Sequence, residues 1–169
     1  MSVLKICKYG DPVLRKKCKP VSELNPELNK LITNMLDTLY AVPGVGLAAN
    51  QVGVPLRVCV IDVKPGGRKQ PLVLINPVIR DKKGKVVEEE GCLSFPGLSA
   101  KVKRFKDVRV EAVNEHGMPV VIEGSDLLAR ALQHEIDHLE GKAFIDYLTL
   151  FRKLKLKAEI RKRKKEGNW

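Results

Sequence analysis

The stretch Ser125-Asp-Leu-Leu-Ala-Arg-Ala-Leu-Gln-His-Glu-Ile-Asp-His-Leu-Glu-Gly141 decides how the rest of this chain is read. Ser125 offers an N-cap, Asp126 puts a negative charge in the first turn and Gly141 stands where a helix would stop, so the pattern predicts one helix across it. Leu127, Leu128, Ala131, Leu132, Ile136 and Leu139 are spread around too much of the circumference for a surface helix, so this helix is largely buried. One face carries chemistry. His134 and His138 lie a turn apart, where both imidazoles can reach one metal ion, and Glu135 beside them can take a proton from water on that ion. Ala131 continues the face and Leu127 flanks it.

A catalytic zinc-type site takes three protein ligands and leaves a fourth position for water. The chain has only three histidines, and the third, His116, falls in the polar turn Asn114-Glu-His-Gly117, where it reads as exposed. Three residues past Gly141 comes Phe144, not the third histidine of the longer metalloprotease signature. The remaining ligand must come from elsewhere. Cys7 and Cys18 lie among lysines, and Cys59 alternates with Val58 and Val60 in an apolar run, where a free cysteine is usually a small buried hydrophobe. Cys92 is different, because Glu88-Glu-Glu-Gly-Cys-Leu-Ser-Phe-Pro-Gly97 sets it near glycines and outside any periodic run. From the residues alone, Cys92 and the acids Glu89 and Glu90 all stay open as the third ligand.

With 169 residues the chain is long enough for one domain with its own core. Hydrophobic content of 44 % and charged content of 30 % fit a soluble globular protein. No apolar run approaches the roughly 18 residues of a membrane span, and the first residues turn polar too early for a secretory signal. The expectation is a cytoplasmic protein whose four cysteines are free thiols. The formal charge of +11 is uneven: residues 151–169 carry nine Lys and Arg against Glu159 and Glu166, leaving a nearly balanced body. The division expected is therefore a catalytic domain, residues 1–150, and a basic helical extension, residues 151–169.

Other elements follow from spacing. Asp11-Pro-Val-Leu-Arg15 reads as a turn or short helical start. Asn25 caps a helix with Pro26 at its first position and Leu28, Leu31, Ile32, Met35, Leu36 and Leu39 on one face. Residues 43–53 read as a glycine-containing loop able to present its backbone to a peptide, with Gln51 as the amide that can reach a carbonyl. Leu56–Val63 and Leu72–Ile79 read as strands, a turn follows at Asp81–Gly84, and Val108–Val113 with Val120–Ile122 reads as a hairpin. The fold class expected is α+β: antiparallel sheets around the buried helix, with an N-terminal helix and a basic C-terminal helix.

Three of these segments together resemble the peptide deformylase family: Gly44-Val-Gly-Leu-Ala-Ala-Asn-Gln51, Glu90-Gly-Cys-Leu-Ser94 and Gln133-His-Glu-Ile-Asp-His138. Asp11-Pro12 with Leu14-Arg15, and Leu74-Ile-Asn-Pro77, extend the resemblance over residues 5–150. The resemblance implies that Cys92, His134 and His138 hold the metal, with metal-bound water as nucleophile and Glu135 as general base and then acid. It implies oxyanion donors in the Gln51 amide and the Leu93 backbone N–H, and substrate contacts at Val45, Gly46, Leu47, Leu127 and Ala131. The implied substrate is the N-formylmethionyl end of new polypeptides, from which formate is released.

The resemblance also implies Fe(II) as native metal, whereas the ligand types alone suit zinc, nickel or cobalt as well. Arg104 matches an arginine that pairs with Glu90 behind the metal. Asn50 and Ser99 depart from the family's more usual residues, Ser99 where some members carry an arginine near the outer peptide subsites. The basic tail resembles an extension associated with docking on the ribosome, and lysine and arginine there would attract rRNA phosphate. A zinc endopeptidase and a non-enzymatic RNA-binding protein are the rival readings.

Overall fold

The computed structural model describes residues 2–169. Its three α-helices are α1 (Pro26–Ala41), α2 (Asp126–Leu139) and α3 (Leu150–Lys165). The strands are β1 (Gly46–Ala48), β2 (Val58–Ile61), β3 (Leu72–Lys83), β4 (Val86–Gly91), β5 (Ser99–Arg104), β6 (Asp107–Val113) and β7 (Pro119–Ser125). Five strands form one sheet in the order β1-β2-β3-β6-β7, and β4 and β5 form a separate hairpin. Every pairing between these strands is antiparallel. This is the α+β architecture expected.

The period of two along a strand explains how one sheet serves two helices. In β2, Val58 and Val60 belong to the core under α1, while Cys59 and Ile61 belong to the core under α2. All four are fully buried, so the strand reads as a continuous apolar run rather than an alternation. On the first face lie Leu28, Ile32, Met35 and Leu39 of α1, which starts as expected with the Asn25 side chain accepting from Leu28 N at 2.9 Å behind Pro26. Ala129, Leu132, Ile136 and Leu139 of α2 pack on the other, against Leu74, Val110 and Ala112. Burying a side chain such as Leu132 or Leu139 contributes about 1.5–3 kcal/mol, and this packing fixes the face that α2 presents to the cleft.

A third cluster joins Phe95 and Val102 to Phe144, Ile145 and Ile160. It seats α3 on the β4–β5 side through Ile160, the one buried residue of that helix. Tyr9, Phe95 and Phe144 meet in sequence, the first pair tilted and the second edge-on, with ring centroids 4.7 and 4.8 Å apart.

The structure corrects several local expectations. Ser125 is the N-cap residue of α2 but makes no side-chain capping bond; it ends β7, and Asp126 turns the chain with φ +50. Residues 46–48 form a short strand rather than loop, and β3 continues through Asp81 to Lys83 where a turn was expected. β5 was not anticipated at all. His116 is exposed in its turn, as expected, and all four cysteines are free. No helix of the described residues is long and apolar enough to cross a membrane.

Candidate metal centre and peptide cleft

Two consecutive turns of α2 put His134 and His138 on one face, and the segment after β4 brings Cys92 to meet them. The Sγ of Cys92 lies 3.2 Å from Nε2 of His138, which lies 3.2 Å from Nε2 of His134. The three donor atoms all fall within 4.8 Å of one another. A soft sulfur and two imidazole nitrogens converging in this way fit the donor set of a divalent first-row metal. Among the described residues this is the cluster with metal-ligand geometry. The acids left open as alternatives sit differently: Glu89 takes the Ser99 hydroxyl at 2.5 Å, and Glu90 lies behind the cluster.

Glu90 orients the first histidine. Its Oε1 lies 2.5 Å from Nδ1 of His134, which leaves Nε2 facing the cluster. Arg104 grips the same carboxylate with Nε at 3.0 Å and Nη2 at 2.7 Å, and reaches Asp137 with Nη1 at 2.5 Å. Tyr147 closes the network from outside, donating to Asp137 at 2.8 Å beneath the Arg104 guanidinium. Burial alone would push the Glu90 carboxyl up, but the hydrogen bonds from Arg104 and His134 bring it down to about 2. Glu90 is thus an anion at any working pH. Burial and the neighbouring His134 hold His138 well below the ordinary histidine value; burial acts the same way on His134 but is overcome by Cys92 and Glu90, which hold that imidazole well above it.

Glu135 occupies the space between this cluster and β1. It is buried, and its Oε2 has no hydrogen-bond partner. A Cβ on Gly46 would overlap its carboxylate, so glycine there is what lets the strand lie against it. Desolvation is the main reason its pKa is pushed up to about 7, with His134 opposing and Glu90 adding to the rise. A carboxyl in that range exchanges protons readily near neutrality.

Gln51 stands opposite. Its Oε1 accepts from Ala48 N at 2.9 Å, which turns Nε2 toward Ser94 Oγ at 3.2 Å and Cys92 Sγ at 3.5 Å. Asn50, the departure noted in the sequence, donates to the His138 carbonyl at 2.6 Å and ties the Gln51 turn to α2.

Around these groups runs a cleft of about 700 Å³. Val45, Gly46, Leu127 and Ala131 line it, as do Gln51, Cys92, Leu93, His134 and Glu135. Leu47 does not. Strand alternation sends its side chain into the core under α1, away from the cleft, which leaves its backbone as the part of Leu47 that faces the β1 edge. Residues that sequence reasoning did not mark also matter: Ser94 and Asp137 steady Gln51 and Arg104, and Ile6, Val42 and Pro43 add apolar wall. Asp137 and Ser94 had a signal, the first as the acid beside His138 within the helix motif and the second as the end of the Glu90–Ser94 segment.

A buried His-Glu-x-x-His helix, a cysteine completing the donor set and a cleft opening onto both define a metal-dependent hydrolase. The sequence profile of the polypeptide deformylase family matches residues 3–154. The chain is 48 % identical over 169 residues to a peptide deformylase of Endomicrobium trichonymphae, covering 100 % of both chains. It is 56 % identical over 146 residues to one of Desulfitobacterium hafniense, covering 86 % of this chain and 95 % of that protein. The crystal structure of a peptide deformylase from Legionella pneumophila superposes with a TM-score of 0.91 at 43 % identity, over 98 % of this chain and 97 % of that one. The chain belongs to the peptide deformylase family.

Proposed function

We propose that this chain hydrolyses the formyl group from the N-terminal formylmethionine of newly made polypeptides, with Cys92, His134 and His138 holding Fe(II) as the native metal. Zinc, nickel or cobalt would also suit a thiolate and two imidazoles. When bound, the cation supplies Lewis acidity, lowering the pKa of water and polarising the formyl carbonyl. Glu135 takes the proton of the attacking water and hands it to the departing amine, so that formate and a free N-terminus result. The observation that carries this reading is geometric: the buried Glu135 carboxyl, whose Oε2 has no hydrogen-bond partner, lines the same cleft as Cys92 and His134.

Gln51 Nε2 and the Leu93 N–H donate to the oxygen that gains charge as the carbonyl becomes tetrahedral. Gln51 is prepared for this by Ala48, which fixes its amide orientation before substrate arrives. Gly46 offers the β1 backbone to the peptide in the manner of an added strand. Val45, Leu127 and Ala131 provide the apolar surface for the methionine side chain. In this reading residues 1–150 are the catalytic domain and residues 151–169 a basic extension, and the exposed Arg161, Lys164 and Lys165 make a transient, salt-sensitive contact with ribosomal RNA.

The test is release of formate from formyl-Met-Ala-Ser set beside release of acetate from acetyl-Met-Ala-Ser, by protein purified without air. Rapid turnover of the formyl peptide alone is the expected result. Cleavage of internal amide bonds with neither blocked peptide turned over would replace this reading with the endopeptidase one.

A further inference from the structure

A second groove, of about 690 Å³, lies between β5 and α3. Leu148 and Leu156 give it an apolar floor, and Lys101, Arg152, Lys155 and Lys162 surround that floor with positive charge. Glu159 is the one acid lining it, and Arg163 already pairs with that carboxylate at 2.9 Å. Among the described residues, none of these four cations forms a salt bridge, so the groove carries a surplus of positive charge.

Ser99 and Arg163 place the groove beside the catalytic cleft. Ser99 lines both cavities, and its short side chain turns aside to Glu89 Oε1 at 2.5 Å. Arg163 Nη1 donates to the Pro96 carbonyl at 2.9 Å, fastening α3 to the Pro96–Ser99 rim that walls the cleft. The groove therefore begins at the Ser99 end of the cleft.

We infer that the groove is a distal subsite for the substrate's own polypeptide, favouring acidic side chains several residues downstream of the formylated end. The inference rests on the reading of the cleft as the site of a formylmethionyl peptide. A single exposed ion pair contributes little, but several cations around one groove act together, and their attraction falls with salt. The apolar floor adds contact for the stems of the bound side chains.

The experiment compares formate release from formyl-Met-Ala-Ser with release from the same tripeptide extended by Gly-Ser and four acidic, or four lysine, residues. Wild type is measured beside Lys155→Glu/Lys162→Glu and a control, Lys30→Glu/Lys85→Glu, whose equal charge change lies outside both cavities. The expected result is a kcat/KM at least about threefold higher for the acidic than the lysine extension, carried by KM and fading at about 0.5 M salt. In the groove variant the preference inverts; in the control it persists. Equal rates for the two extensions in wild type would overturn the inference. So would inversion in the control, which would mean a general field, or a groove variant that weakens only co-sedimentation with ribosomes, which would assign the groove to RNA. Failure of the unextended tripeptide to release formate is a separate result that removes the deformylase reading itself.

Discussion

Oε1 of Glu90 lies 2.5 Å from Nδ1 of His134, and the same carboxylate is held on its other side by two nitrogens of Arg104. A ligand histidine whose far nitrogen is fixed this way keeps one tautomer and one ring orientation, and loses affinity for metal when the partner is removed. Glu90→Gln is therefore expected to weaken metal binding by about 10–100-fold, read by competition with a chelator. Unchanged affinity would mean that packing alone orients the ring.

Gln51 makes a different prediction, because its two amide atoms have different jobs. In Gln51→Glu the oxygen that accepts from Ala48 N can stay, while the donor facing Cys92 and Ser94 is lost. Turnover is expected to fall by about 10²–10³-fold with the melting temperature near that of wild type. A fall in stability without a matching fall in kcat would make Gln51 a structural residue.

At Gly46 the argument is steric. Since a methyl group there meets the Glu135 carboxylate, Gly46→Ala displaces the base or the strand, and a displacement near 1 Å costs about 100-fold in rate. Steady-state kinetics with circular dichroism checks this; wild-type kcat in the folded variant would show that Glu135 has room to swing aside without loss.

Asp146 links three parts of the chain. It takes Arg15 at 2.5 Å, Ala143 N at 2.9 Å and Lys153 at 3.2 Å. Burial would raise its carboxyl, but these donors, Arg15 foremost, hold it below the usual carboxylate range. A depressed folded-state pKa gives stability that is present above the unfolded value of about 4 and lost as pH falls through the folded one. Asp146→Asn should lower the urea midpoint at neutral pH, and the gap from wild type should close as pH falls below the usual carboxylate range. A gap independent of pH would point to packing instead of charge.

Helix α2 and its chemistry were legible because one short pattern carried both: an apolar circumference for burial, and His134, Glu135 and His138 at helical spacing. The same holds for α1, where Asn25 and Pro26 announced the start. What was not legible depends on contacts between distant segments. β5 escaped because one of its inward positions is Arg104, a charge that the alternation rule would place outside and that only Glu90 and Asp137 make tolerable in the interior. The burial of the Leu47 side chain was not legible because a three-residue strand carries too little alternation to reveal its faces. The choice between Cys92 and the acids beside it was open on spacing alone, since only the folded β4 register turns Glu90 behind His134 and brings the thiol forward.

The account turns on three donors holding a metal beside a carboxylate that moves protons, and one paired measurement tests it most directly: metal content and formate release for the air-free wild type and for Glu135→Ala. The predicted result is about one metal ion per chain in both proteins, with formate release abolished in the variant. Wild-type protein that binds no metal, or a metallated Glu135→Ala that still turns over at the wild-type rate, would contradict it.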